Sequence, residues 1–229
     1  MQLALFDLDN TLLPIDSDVS WAKFLIDRAI VDADWYAKRN DTFYAQYCAG
    51  TLDIYEFLEF QLAPLARHPR AQLNTLRESF IEEVIRPHVL PQAKALVQAH
   101  QDSGALCAIV TATNSFITGP IAKEFGIDHL IATEIEVDAR GEFTGKPSGL
   151  PSFREGKITR VEQWLALLNR GLSDFSQSTF YSDSFNDLPL LARVTHPVAV
   201  NPDQRLLAHA TEQQWKVLHL FDRSESTDD

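Results

Sequence analysis

Leu3-Ala4-Leu5-Phe6-Asp7-Leu8-Asp9-Asn10-Thr11-Leu12 is an apolar strand that runs straight into two aspartates. A strand end is where an α/β sheet places its chemistry. Carboxylates at i and i+2 on an extended segment share a face and repel one another. A nucleophilic carboxylate beside an acid/base carboxylate is the functional reading. Taken alone, the run reads first as an Asp-rich turn or a helix cap. Three later segments carry the argument further.

The second is Ile109-Val110-Thr111-Ala112-Thr113-Asn114. It sets a hydroxyl after the next buried strand, and that hydroxyl with the adjacent backbone N–H groups suits an anion's oxygens. A helix N-cap is its plain alternative. The third, Glu155-Gly156-Lys157-Ile158, opens an amphipathic helix with Ile158, Val161, Leu165 and Leu168 on one stripe. A lysine in a first turn opposes the helix dipole, and such local conflicts mark functional positions. The fourth is Phe180-Tyr181-Ser182-Asp183-Ser184-Phe185-Asn186-Asp187-Leu188-Pro189, where a short strand again delivers carboxylates. A hard cation such as Mg²⁺ needs few of them, because it keeps several waters.

Between these segments the apolar pattern alternates strands and helices. Strands are expected at 3–6, 105–110, 130–137, 179–182, 197–200 and 216–220, with a hairpin turn over 138–143. A helix opens at Pro91 and ends at Ser103-Gly104. Strands separated by helices imply an α/β fold with a doubly wound, mainly parallel, Rossmann-like sheet. Residues 16–86 break that rhythm, with helical stretches at 17–31, 33–47, 53–62 and 69–85. Ten of the chain's 23 aromatic residues lie between Trp21 and Phe60, which predicts a small helical bundle with some rings facing a pocket. The expected organisation is an α/β core of residues 1–15 and 87–221, a helical insertion at 16–86 and a disordered acidic tail at 222–229.

Net charge is −12, which argues against nucleic acid or an anionic membrane as partner and leaves any phosphate to local positive groups or a metal. No apolar run approaches the ~20 residues of a membrane span, and no basic region precedes the first apolar stretch, so neither an anchor nor a signal peptide is expected. Two cysteines without framework spacing fit a reducing cytoplasm, Cys107 as a buried hydrophobe. The seven histidines include no i, i+4 pair, so no histidine-based zinc site is expected. A small phosphorylated metabolite is the expected partner, and the chain is read as a monomer or homodimer.

In this order, D-x-D-x-T, a threonine after the next core strand, a helix-opening lysine and D-x-x-x-D resemble the haloacid dehalogenase superfamily of aspartyl-phosphate phosphohydrolases. The resemblance covers residues 1–221. The insertion resembles the C1 type of cap, as in the phosphoserine-phosphatase-like branch. Within that branch the runs Asp7–Leu12, Thr111–Asn114 and Tyr181–Asp187 are similar to bacterial histidinol-phosphate phosphatases. The chain has Thr111-Ala112-Thr113 where phosphoserine phosphatases usually carry Ser-Gly-Gly, and Ser182-Asp183-Ser184 where they usually carry Gly-Asp-Gly. Those departures bear on the substrate rather than the chemistry.

The resemblance implies that Asp7 attacks phosphorus and that Asp9 is the acid and base. Mg²⁺ would be held by Asp7, Asp183 and the backbone carbonyl of Asp9, with Asp187 orienting its water. Thr111, Ala112, Lys157 and Asn186 would bind the phosphoryl oxygens. In the cap, Asp16 and Asp18 are candidates for a substrate amine, with helix capping as their plain role. Arg39, with Arg28, is the candidate for a substrate carboxylate. The expected activity is hydrolysis of a small amine-bearing phosphomonoester, histidinol phosphate before phosphoserine. A phospho-accepting receiver domain is the reading from another class, and an inactive binding module is a third.

Overall fold

Alternation along the strands explains how the sheet is covered. The computed structural model describes residues 1–221, the Trp35 side chain excepted, and the tail expected at 222–229 lies outside the described residues. In β1 (Gln2–Phe6), Leu3 and Leu5 face one layer of helices while Ala4 and Phe6 face the other. The other strands are β2 (Leu106–Asn114), β3 (His129–Val137), β4 (Phe143–Ser148), β5 (Gln177–Ser182), β6 (His196–Val200) and β7 (Lys216–Leu218). They form one sheet in the order β4-β3-β2-β1-β5-β6-β7, parallel except for β4. β1 sits between β2 and β5, with Phe6 opposite Ile109 on one side and Tyr181 on the other. The chain winds outward in both directions from β1, so the crevice at its carboxyl end is a topological switch point. Asp7, Thr111 and Asp183 all stand at that crevice.

The helices are α1 (Ser17–Asp27), α2 (Ala33–Ala49), α3 (Ile54–Ala66), α4 (Arg70–Phe80), α5 (Pro91–Asp102), α6 (Ser115–Glu124), α7 (Glu155–Leu167), α8 (Leu188–Leu191) and α9 (Gln204–Glu212). Val161 and Leu165 of α7, Leu190 of α8 and Leu206 of α9 cover the Leu3/Leu5 face. No helix among the described residues is long and apolar enough to cross a membrane.

Several expectations are refined. The helix expected over 69–85 is α-helical only to Phe80; a π turn at Ile81–Ile85 and a 3₁₀ turn at Arg86–His88 follow, and Pro87 stops the helix. The hairpin turn is present, with Asp138 accepting from the N–H groups of Arg140 (2.8 Å) and Glu142 (3.0 Å). Its second arm is β4. A Cβ on Gly145 of β4, at φ +80°, would lie 3.0 Å from Ala66 Cβ, so glycine lets the hairpin pack on the end of α3.

The 16–86 insertion is not separated from the sheet by a break in packing. Trp21, Phe24, Leu62, Leu73 and Phe80 belong to the same apolar cluster as Phe6 and Ile109. The buried members of a second, smaller cluster, Ala22, Tyr36, Phe43, Leu52 and Phe60, all come from the insertion, with Phe153 of the α/β core packed against them. Its aromatics therefore divide between the main core and the small bundle.

Candidate active site

The backbone N–H of Asp7 donates to Tyr181 O at 2.9 Å, carrying the β1–β5 pairing one residue past the strand. This holds Asp7 at the floor of a cavity of about 1050 Å³, mouth included, between the strand ends and α1–α3. Its Oδ1 accepts from Lys157 Nζ at 2.8 Å. The same ammonium donates to Asp187 Oδ2 at 2.7 Å, which also accepts from Ser182 Oγ at 2.7 Å. Burial opposes the charge on Lys157, but Asp187 and Asp7 outweigh it and hold the ammonium protonated well above its usual range. The first-turn lysine thus trades an unfavourable dipole for two buried ion pairs. Gly156 permits this placement: a Cβ there would sit 2.2 Å from Pro151 O. Arg154, just before the helix, adopts φ +50°, ψ −122°, a conformation a side chain rarely tolerates. Its guanidinium holds Asn186 Oδ1 through Nε (3.2 Å) and Nη2 (3.0 Å).

Asp9 opens onto the cavity. Its Oδ1 accepts from Ser17 N at 2.7 Å and its Oδ2 from Thr113 Oγ1 at 2.8 Å. Burial and then the Asp16 charge push its carboxyl up to about 7, with the Ser17 and Thr113 hydrogen bonds opposing. Asp7 is likewise raised to about 7, by burial above all, which Lys157 only partly offsets. Asp183 is raised well above the usual range by burial and by the charges of Asp7 and Asp187.

Thr11 Oγ1 lies 3.3 Å from both Asp7 Oδ2 and Asp183 Oδ1, and accepts from Asp183 N at 3.1 Å. One hydroxyl proton serves two carboxylate oxygens, so it cannot satisfy both. Lys157 pairs with Asp7 and Asp187, while Asp183 makes no ion pair among the described residues. Among the described residues no three His, Cys, Asp or Glu side chains form a ready-made metal cage. A small hard cation needs none, since one or two carboxylates, waters and a substrate phosphate complete its octahedron. The all-oxygen donors Asp7 and Asp183 fit such an ion.

Thr111 is buried and remains in β2; its Oγ1 accepts from Thr113 N at 3.1 Å. The capping role falls to Asn114, whose Oδ1 accepts from Ile117 N at 3.2 Å. Ala112 lines the cavity, and its carbonyl accepts from Thr133 Oγ1 at 2.7 Å. Asn186 lines it too, but its Oδ1 is held by Arg154 and its Nδ2 donates to Tyr47 O at 3.5 Å. The Tyr47 hydroxyl and Ser184 Oγ share a hydrogen bond at 2.7 Å, tying α2 to the loop after β5.

At the helical end, Asp16 and Asp18 both line the cavity with Phe43, Tyr44, Phe57 and Gln61. Asp16 caps α1, its Oδ1 accepting from the N–H groups of Asp18 and Val19 at 2.9 Å. Asp18 is buried, with Asn114 Nδ2 3.5 Å from its Oδ1. Burial, then the charges of Asp16 and Asp9, raise its carboxyl well above the usual range. Arg39 is not brought to the site: it pairs with Glu56 on the exposed face of α2, its guanidinium 4.7 Å from the Phe43 ring centroid. Arg28 pairs with Glu83 at 2.7 Å. Lys157 is the one basic side chain lining the cavity among the described residues, against Asp7, Asp9, Asp16, Asp18, Asp183 and Asp187.

Sequence reasoning assigned no role to Thr11, Thr113, Ser17 or Ser182. Thr11 was visible as the last position of D-x-D-x-T. The other contacts depend on which strand ends become neighbours.

A profile of the haloacid dehalogenase-like hydrolase family matches residues 4–192. A histidinol-phosphatase of Neisseria meningitidis serogroup C (strain 8013) is 46% identical over 217 residues, covering 95% of this chain and 98% of the relative. The crystal structure of a protein of unknown function from Bordetella pertussis Tohama I superposes with a TM-score of 0.90 at 50% identity, over 96% of this chain and 99% of that one. A phospho-aspartyl intermediate analogue of phosphoserine phosphatase shares the fold at a TM-score of 0.65 and 16% identity, over 96% of this chain and 93% of that one. The chain belongs to the haloacid dehalogenase-like hydrolase family.

Proposed function

We propose that this hydrolase is a Mg²⁺-dependent phosphatase of histidinol phosphate, working through an aspartyl-phosphate on Asp7. The observation that carries the substrate reading is the charge of the cavity wall. Among the described residues its one lining base, Lys157, is committed to Asp7 and Asp187, while Asp16 and Asp18 stand at the helical end. A leaving group with an ammonium and no carboxylate suits that wall. The histidinol-phosphatase relative supports the same substrate. Phosphoserine would bring a carboxylate to a wall with no uncommitted base among the described residues.

Asp7 Oδ attacks phosphorus in line, and the bond from phosphorus to the ester oxygen breaks. Asp9 gives its proton to the leaving oxygen; a carboxyl raised to about 7 is well placed to do so near neutrality. In the second half, Asp9 takes a proton from water, the water oxygen attacks phosphorus, and the bond to Asp7 breaks to release inorganic phosphate. Thr113 Oγ1 and Ser17 N hold Asp9 through both steps. Lys157 holds the Asp7 carboxylate in place and balances the developing charge, and Thr111 and the backbone around Ala112 meet the phosphoryl oxygens. Asp7, Asp183 and the backbone carbonyl of Asp9 would hold Mg²⁺, with Asp187 beside them. When bound, the ion cancels repulsion between the Asp7 carboxylate and the phosphate.

We assign residues 16–86 as the cap over the leaving group, and the setting as the cytoplasm. Cys48 and Cys107 are free thiols, the state a reducing compartment maintains.

The test is phosphate release from histidinol phosphate. Turnover with Mg²⁺, its reversible loss on chelation, and its abolition in a folded Asp7→Asn variant are expected. Appreciable turnover by Asp7→Asn would remove the aspartyl-phosphate mechanism.

A further inference from the structure

Gln61 of α3 is 8% exposed and lines the cavity. Its Oε1 accepts from the Tyr36 hydroxyl at 3.1 Å, while its Nε2 has no hydrogen-bond partner among the described residues. Folded proteins rarely leave a buried amide donor unmet, because its lost hydration is not replaced. If packing alone were required, leucine or methionine would fill the position without an orphaned donor. Tyr36 decides which end of the amide is left over. It is buried, its ring stacks on Phe60 with centroids 5.0 Å apart, and both rings belong to the small cluster of the insertion. Burial and then the Asp18 charge raise its phenol above the usual range, so it keeps the proton that it donates to Gln61 Oε1 in the observed geometry.

We propose that Gln61, fixed by Tyr36, is a specificity-determining residue that donates from Nε2 to a neutral sp² ring nitrogen on the leaving group. The inference rests on the phosphatase reading above and deepens it. The same wall carries acceptors at Asp16 and Asp18 and the rings of Phe43 and Phe57. A neutral imidazole has one N–H donor and one nitrogen acceptor, so it matches a wall offering both an acceptor and a donor. A carboxylate would also accept from Nε2, but beside Asp16 and Asp18 and with no uncommitted base. A plain hydrocarbon ring would leave Nε2 unmet.

Two probe substrates without an amine isolate the ring: 2-(imidazol-4-yl)ethyl phosphate and 2-phenylethyl phosphate. The readout is the ratio of their kcat/KM values with Mg²⁺ present. Gln61→Leu is expected to lower the ratio roughly ten-fold through KM, the scale of one lost hydrogen bond. Tyr36→Phe, which frees the amide to turn, should lower it less. Relative to Gln61→Leu, the wild-type ratio falls below about pH 6.5, as the imidazole takes a proton and ceases to accept from Nε2. Gln61→Glu puts an acceptor in place of the donor, so its ratio rises as pH falls. A variant that packs badly but does not read the ring changes both substrates alike and leaves the pH profile of the ratio where it was. A ratio unmoved by Gln61→Leu, or a Gln61→Glu profile parallel to the wild type, overturns the proposal. Failure of the wild type on histidinol phosphate, with a Gln61-dependent ring preference intact, would overturn the substrate reading alone.

Discussion

The two ends of the cavity are built on opposite principles. At the strand ends most polar groups are already engaged: Lys157 clasps Asp7 and Asp187, Ser182 supports Asp187, and Thr113 with Ser17 N holds Asp9. Of Asp7, Asp183 and Asp187, Asp183 alone has no ion pair among the described residues, and a cation fits between it and Asp7. At the helical end, among the described residues, Asp18 is buried without a cation and Gln61 Nε2 is unpartnered, and aromatic rings line the wall together with Val19, Leu52 and Ile54. The first end is organised before any ligand arrives, as electrostatic catalysis requires. The second is completed only by a leaving group. On the proposed reading, chemistry common to phosphomonoesters resides at one end and discrimination among them at the other.

The comparison breaks most visibly at Asp9. Asp9→Asn should slow hydrolysis of an alkyl phosphate by about 10²–10⁴-fold, the usual worth of general acid–base catalysis. An aryl phosphate, whose leaving oxygen needs less protonation, should lose less in the first step. Equal losses in single-turnover measurements would deny Asp9 its role as proton donor.

Substitutions at the other end should act on selectivity. Asp18→Asn and Asp16→Asn, made singly, should each raise KM for histidinol phosphate about ten-fold, with a smaller change in kcat, as expected for the loss of a charge-assisted contact. Asn is itself a good N-cap, so the Asp16 change keeps the start of α1. Equal damage to histidinol phosphate and to an aryl phosphate would show that these acids serve the fold and not the choice of substrate.

The smallest effect is on stability. Asp7 and Asp9 rise from an ordinary 3.8 to about 7 on folding, and Asp16, Asp18 and Asp183 are raised as well. Between those values the folded chain holds protons that the unfolded chain has released. Stability from Asp7 and Asp9 is therefore full at low pH and is lost as pH rises through about 7, and the raised carboxyls of Asp16, Asp18 and Asp183 act in the same direction. The metal-free protein should show a falling Tm across that window, by about 2–4 °C per kcal/mol for a domain of this size. Mg²⁺ at pH 8 should recover part of it in the wild type and little in Asp183→Asn. Identical pH slopes with and without Asp183 would contradict the crowded-carboxylate account.

What the chain disclosed about itself follows the same division. The strand-end motifs were legible because their spacing is local: Asp7 and Asp9 two residues apart, Lys157 in a first turn, Asp183 and Asp187 after a short strand. Thr113 and Ser17 were not, since their partner Asp9 lies 104 and 8 residues away across the fold. β4 was read only as the far side of a turn, because Gly145 and Pro147 disguise a strand that pairs along one edge. Arg39 looked like a substrate ligand until its partner Glu56, one helix further on, took its charge at the surface. Gln61 carried no signal at all, for a glutamine in an apolar helix becomes informative only when one end of its amide is seen to be occupied and the other is not.

The central claim is that the helical end selects an amine-bearing leaving group while the strand ends hydrolyse whatever it admits. It is tested most directly by kcat/KM for histidinol phosphate, phosphoserine and an aryl phosphate, measured side by side on the wild-type protein with Mg²⁺. All three should be hydrolysed, with histidinol phosphate ahead of phosphoserine by about ten-fold or more, as expected for adding a carboxylate beside buried acids. Phosphoserine equal to or ahead of histidinol phosphate would contradict the account.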